Sequence, residues 1–302
     1  MSSFWSLYII VLTLANIAAA WWLIRWTAKP RKGEVAATET TGHVWDENLM
    51  EYNKPMPRWW LYMFYLSIVF AIIYLALYPG LGNLRGLLGW TEIKAYEAQM
   101  AQAEQEYGPL FHQYGATDLV ALSQNPEAMT TAARLFANNC AACHGSDAHG
   151  GPGFPNLTDG DWLYGGSPDT IQETILKGRG GMMPTFGPIL GEEGIHDVAQ
   201  YVVSLSGRPA DPVRAAAGQQ KFATLCTACH GPEGKGTPAL GAPNLTDNVW
   251  LYGGSVETIE QTIRGGRQGR MPAHETLLGP DRVHLLAAYV YGLSHRDKAP
   301  PP

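Results

Sequence analysis

Two long uncharged runs dominate the first 80 positions. From Phe4 to Ile24 the chain reads FWSLYIIVLTLANIAAAWWLI, 21 residues without a charge. At a helical rise of about 1.5 Å per residue this spans roughly 30 Å, one hydrocarbon thickness. From Trp59 to Tyr78 a further 20 uncharged residues open on a Trp pair and close on Tyr78 and Pro79, as interfacial aromatic belts do. Two membrane-spanning helices are predicted, at about 4–26 and 59–78, so that residues 1–80 form a membrane anchor. A cleavable leader would need basic residues ahead of the first run; Arg25, Lys29, Arg31 and Lys32 all follow it.

Beyond position 80 the pattern changes. A Gly-rich turn region (78–90) leads into TEIKAYEAQMAQAEQEYG (91–108), rich in Ala, Glu and Gln, which predicts a polar helix within a linker over 81–122. Asn125-Pro126 and Asp211-Pro212 then mark two helix starts. Ser167 and Ser255 open two more helices, with isoleucines at i and i+4 (Ile171/Ile175, Ile259/Ile263). Closing helices carry Val198, Tyr201, Val202 and Leu205 in one case and Leu286, Tyr289, Val290 and Leu293 in the other. No period-two alternation suggests a strand, so the fold class is all-α with long loops.

These helices belong to an internal repeat. CAACHGSDAHGGPGFPNLTDGDWLYGG (140–166) returns almost intact at 226–254, with a two-residue insertion and then a constant offset of 88. Asn156/Asn244, Trp162/Trp250, Tyr164/Tyr252, Arg179/Arg267, Met183/Met271 and His196/His284 all fall in register. A period this long means a duplicated domain, with copies at 123–208 and 209–297. Ala132 stands opposite Gly218 on the first helix, which predicts a looser helix contact in the first copy.

All four cysteines sit in the repeat, as Cys140/Cys143 followed by His144 and Cys226/Cys229 followed by His230. C-x-x-C-H is the attachment pattern of c-type haem rather than a bare dithiol. Two covalently bound haem c groups are therefore expected, with His144 and His230 as proximal ligands. Each copy also holds a Met-Pro in a Gly-rich loop about 40 residues on, making Met183 and Met271 the sixth-ligand candidates; the alignment sets Met182 opposite Arg270. Each proximal histidine should donate its other N–H to a backbone carbonyl near Pro155 or Pro243. Arg179 and Arg267 could face propionates, Trp162 and Trp250 could cover a haem edge and His196 and His284 could be ligands; for each the alternative is an ordinary surface or packing role. The spacing does not decide which methionine serves which iron. His144 pairs with Met183 within one copy, or with Met271 if the lobes exchange loops.

Charge adds topology. The connection from Arg25 to Arg58 carries six basic residues while the extreme N-terminus carries none, so the loop at about 27–58 is read as cytoplasmic. Both haem domains then lie on the periplasmic side, where covalent haem attachment occurs. The net charge of −6 argues against a nucleic-acid partner.

C-x-x-C-H with a downstream Met-Pro resembles class I cytochrome c domains, here two in tandem. TTGHVWDENLMEYNKPMPRWWLYMFYLSI (40–68) and AYEAQMAQAEQEYGP (95–109) resemble the anchor and linker of the dihaem subunit of cbb3-type cytochrome c oxidases. That resemblance implies a bacterial inner-membrane electron carrier without an oxygen site of its own. It would receive electrons from soluble or membrane-bound donor cytochromes c. It would pass them to a monohaem cytochrome c subunit and a haem-copper subunit that reduces oxygen to water in aerobic or microaerobic respiration. Two other readings remain, a membrane-bound dihaem peroxidase and a free-standing tethered carrier or sensor. The first needs an open sixth position, and the second leaves GHVWDENL without a reason.

Overall fold

The structure is a computed structural model describing residues 1–29, 32–54 and 56–295. Arg31, counted among the basic residues of the connection, and 296–297, at the end of the second repeat, lie outside the described residues. The chain divides after Gln105 into two units.

In the first unit, α1 (Ser3–Thr27) and α2 (Arg58–Leu77) are apolar on all sides and long enough to cross a membrane. Neither carries a polar face, and nearly all their large side chains are exposed, an arrangement stable only in an apolar solvent. Trp22 stacks on Trp26 at the end of α1, and Trp59 stacks on Trp60 at the start of α2. At the opposite end Ser6 Oγ accepts from the Asn83 N–H (2.9 Å) and the Asn83 amide donates to Met1 O (3.1 Å). Between the helices lies a hairpin of β1 (Thr40–Trp45) and β2 (Leu49–Tyr52), with Trp45 opposite Leu49 and Val44 opposite Met50. It turns through Asp46 and Glu47, both at positive φ (48° and 63°), as the twist of a tight hairpin requires. Gly42 and the irregular register behind Val44 hide this hairpin from a search for strict alternation.

The linker helix α3 (Glu92–Gly115) runs past the expected 108, through Pro109, because its last turns have something to pack on. Tyr114 is buried, and the guanidinium of Arg282 lies 4.4 Å from the Phe111 ring centroid. A short turn, α4 (Leu119–Leu122), follows, capped by Asp118.

The second unit is built from the repeat. α5 (Pro126–Asn139) starts where Asn125 Oδ1 accepts from the backbone N–H groups of Glu127 and Ala128, and it runs into one turn, α6 (Ala141–His144). After the long loop comes α7 (Pro168–Lys177), capped by Ser167, then β3 (Arg179–Met183) and α8 (Gly187–Leu205). The second copy repeats this as α9 (Pro212–Leu225), α10 (Thr227–His230), α11 (Val256–Gly265), β4 (Arg267–Met271) and α12 (Glu275–His295).

The copies do not pack each on itself. β3 and β4 form an antiparallel ribbon centred on Gly181 opposite Gly269, and past it each chain enters the other copy's core. α12 packs on α5 and α7, while α8 packs on α9 and α11. One core joins Phe136, Ile171 and Ile175 of the first copy to Val283, Leu286 and Val290 of the second. The other joins Ile195, Val198 and Val202 of the first to Phe222, Ile259 and Ile263 of the second. The exchange is pinned by matching backbone bonds, Phe186 N–H to Ile263 O and His274 N–H to Ile175 O, both 3.0 Å. The repeat seen in sequence is thus not the packing unit. Beyond the helices, the ribbon is a second departure from the all-helical reading; RGGMM lacks the β-branched alternation that would announce a strand.

The Ala132/Gly218 difference is visible in the two first helices. A methyl on Gly218 would lie 2.0 Å from Asp197 O, so α9 and α8 cross in backbone contact. In the other lobe the Ala132 methyl is wholly buried in the core that α12 closes.

Candidate cofactor sites

Each C-x-x-C-H is delivered by the same local device. Phe136 and Phe222, each 2% exposed, anchor α5 and α9 in the cores, and the helices end on Cys140 and Cys226. A single turn then carries the chain to His144 and His230, ended by Gly145 and Gly231 at positive φ. None of the four cysteines is paired in a disulfide; the first of each C-x-x-C is half-buried and the second exposed. Burial, reinforced by the neighbouring thiol, pushes Cys140 and Cys226 up to about 11.

The histidines are oriented. His144 Nδ1–H donates to Pro155 O at 3.0 Å and His230 Nδ1–H to Pro243 O at 3.1 Å, so Nε2 keeps the free lone pair in both. Burial holds the His230 imidazole below its ordinary range, outweighing the Pro243 bond. The neutral imidazole is the form that ligates metal.

Strand alternation separates the methionines. Met182 points outward and is 77% exposed, whereas Met183 and Met271 are half-buried against a core. Met271 packs on the core that also holds Cys140 and Ala141. Met183 packs on the core that holds Cys226. Each thioether is therefore carried across the ribbon into the lobe built around the other copy's cysteines.

The chain matches the family described as cytochrome c oxidase, cbb3-type, subunit III, over residues 127–202 and 213–290. Residues 37–85 match the N-terminal domain of cytochrome oxidase-cbb3, FixP. It is 47% identical over 294 residues to the cbb3-type cytochrome c oxidase subunit CcoP of Rubrivivax gelatinosus, covering 97% of this chain and 96% of that protein. It is 42% identical to subunit FixP of Bradyrhizobium sp. strain ORS 278 (86% and 96% covered) and 40% identical to subunit CcoP of Rhodobacter capsulatus (84% and 95% covered). The chain belongs to the cbb3-type cytochrome c oxidase subunit III family.

Membership in that family implies haem c, and the residues present fit it. In each lobe the first cysteine of a pair shares an apolar cluster with one thioether, Cys140 with Met271 and Cys226 with Met183, and the histidine one turn on is oriented by a backbone carbonyl. Among the described residues, a guanidinium nitrogen of Arg208 is buried with no hydrogen-bond partner. Arg208 lies over the Trp250 ring (4.9 Å), and its Nη1 donates to Gly254 O (2.5 Å). A cofactor carboxylate would satisfy the remaining nitrogen. Arg208 sits at the seam of the repeat, where sequence reading did not single it out. The offset of 88 would have paired it with Arg296, which lies outside the described residues.

The arginines, tryptophans and histidines that recur in both copies have protein partners of their own. Arg179 and Arg267 donate through Nε to Thr174 and Thr262 (2.9 and 3.0 Å) and lie over Tyr164 and Tyr252 (5.0 and 4.5 Å). Trp162 and Trp250 pack against the two cores. His196 pairs with Glu260, tying α8 to α11. His284 Nε2–H donates to Thr117 O (2.8 Å), with Nδ1 3.1 Å from the Gln172 amide, tying α12 to α7. Both histidines are spent on joining exchanged helices.

Proposed function

We propose that this chain is the dihaem electron-transfer subunit of a cbb3-type terminal oxidase. It accepts electrons from donor cytochromes c and passes them toward a monohaem cytochrome c subunit and the haem-copper subunit, where oxygen is reduced. The supporting observation is the doubled set of oriented histidine, paired thiols and thioether, one set in each lobe.

When bound, haem c supplies an iron that exchanges one electron at a time. The protein's part is to hold and tune it. Cys140 and Cys143 would hold one haem and Cys226 and Cys229 the other by thioether bonds. His144 and Met271 are assigned to the first iron, His230 and Met183 to the second. With a histidine and a thioether both holding it, each iron would offer no place for oxygen or peroxide, and the Met ligand would raise its potential. The same filling speaks against a peroxidase, and the absence of an open position leaves oxygen reduction to another subunit.

The anchor fits a bacterial inner membrane. The basic residues flanking both helices favour a cytoplasmic connection at about 27–58, with the anchor at 1–80, the linker at 81–122 and the two repeats at 123–208 and 209–297, the last three on the periplasmic side. The test is to purify the chain from native membranes in mild detergent. Co-purification of a haem-copper subunit, low-spin c-type spectra and no carbon monoxide binding to this chain are expected. High-spin signal or peroxide turnover by the isolated chain would overturn the reading.

A further inference from the structure

Among the described residues none covers the hairpin of β1 and β2. Every residue from Thr41 to Tyr52 is exposed, with Trp45 53%, Val44 51%, Leu49 64% and Met50 50% exposed. The pairing puts Trp45 with Leu49 on one face and Val44 with Met50 on the other, so both faces are apolar. A lone two-stranded hairpin is marginal in water, and apolar surface of this kind marks a contact site. The base is nonetheless tied down: the Asn53 amide donates to Val35 O (2.7 Å) and the Asn53 N–H to Glu39 O (3.2 Å).

Charge chooses between occupants. Thr40–Tyr52 carries Asp46, Glu47 and Glu51 and no Lys or Arg, while Arg25, Lys29, Lys32, Lys54 and Arg58 flank the membrane helices. An anionic cytoplasmic leaflet repels an acidic hairpin. The cytoplasmic loops of neighbouring membrane proteins carry an excess of Lys and Arg and complement it.

We infer that the hairpin is a docking element for a Lys/Arg-rich cytoplasmic loop of a membrane-embedded subunit of the same oxidase. Val44, Trp45, Leu49 and Met50 supply the apolar contact, and Asp46, Glu47 and Glu51 select the basic partner. The inference rests on the cytoplasmic orientation proposed above.

The test uses the full chain in native membranes, with a photo-crosslinking residue at Trp45 or Met50. The expected product is a crosslink mapped to a basic loop of an oxidase subunit. Asp46→Lys, Glu47→Lys and Glu51→Lys together should lower its yield several-fold, and the neutral set Asp46→Asn, Glu47→Gln and Glu51→Gln should lower it less, with haem spectra unchanged in both. Crosslinks to lipid alone, no protein product, or a yield indifferent to charge would overturn the inference. Asn48→Cys, probed with a membrane-impermeant maleimide, reports the side of the hairpin independently. Labelling only from the cytoplasmic face supports the orientation. Labelling from outside would overturn the orientation and the inference together, whereas inside-only labelling without a crosslink overturns the inference alone.

Discussion

Arg179 of the first repeat stands directly opposite Met271 of the second across the antiparallel ribbon, and Met183 stands opposite Arg267 in the mirrored pair. This register carries each methionine out of its own copy and into the core that holds the other copy's cysteines. The two lobes are therefore complementary halves of one structure, and neither copy packs its methionine with its own cysteines.

The ribbon is entered through Gly178 and Gly266, both at φ 70°. An added methyl would meet Met271 O in one case and Met183 O in the other, each at 2.4 Å. Left-handed backbone costs an L-residue about 1–2 kcal/mol before any clash. Gly178→Ala and Gly266→Ala should each destabilise the haem-bearing unit by at least about that much in thermal unfolding. A neutral result at both positions would show that the crossing is not tightly specified.

The helix crossings should respond oppositely to size. Gly218→Ala places a methyl 2.0 Å from Asp197 O and should cost about 1–3 kcal/mol by overpacking. Ala132→Gly removes a methyl the other lobe accommodates and should cost about 1 kcal/mol from helix propensity. Denaturant midpoints of the two variants measure the difference.

Asp161 lies near Asp247 and Asp159 where loops of the two copies meet; burial first, then these two carboxylates, holds its pKa above the ordinary range. A raised folded pKa means that the folded state binds the proton more tightly than the unfolded state. Its contribution is therefore favourable below the unfolded carboxylate range and is lost as pH rises through the folded value. Asp161→Asn should stabilise the protein modestly at neutral pH, the advantage shrinking as pH falls through the carboxylate range. A stability gain independent of pH would contradict this assignment.

The buried nitrogen of Arg208 is expected to balance a cofactor carboxylate in the lobe of Cys226 and Cys229. Arg208→Gln should lower the potential of that haem and leave the other unchanged in a redox titration. Equal shifts in both, or none, would assign Arg208 to packing alone.

Much of this was legible in the sequence because it is local. Uncharged runs locate α1 and α2, Asn125, Ser167, Asp211 and Ser255 mark helix starts, and C-x-x-C-H points to haem c, which the family match also implies. The carbonyls of Pro155 and Pro243 lay where the loop prolines suggested. What spacing does not carry is which copy an element packs on. Met183 follows His144 by 39 residues and Met271 follows His230 by 41 whether or not the chains cross, and only the ribbon register separates the two arrangements. RGGMM and TTGHVW hide their strands behind glycine. The last turns of α3 lie beyond the Ala/Glu/Gln-rich stretch that predicts it and depend on partners distant in sequence, as with Arg282 over Phe111.

The crossed assignment is the central claim, and one measurement tests it most directly. In a chain with Cys226→Ala and Cys229→Ala, only the haem at Cys140 and Cys143 remains, and its thioether-to-iron charge-transfer band is recorded. Met271→Ala in that background should abolish the band, while Met183→Ala should leave it intact. Loss of the band with Met183→Ala and its survival with Met271→Ala would show that each copy closes its own haem.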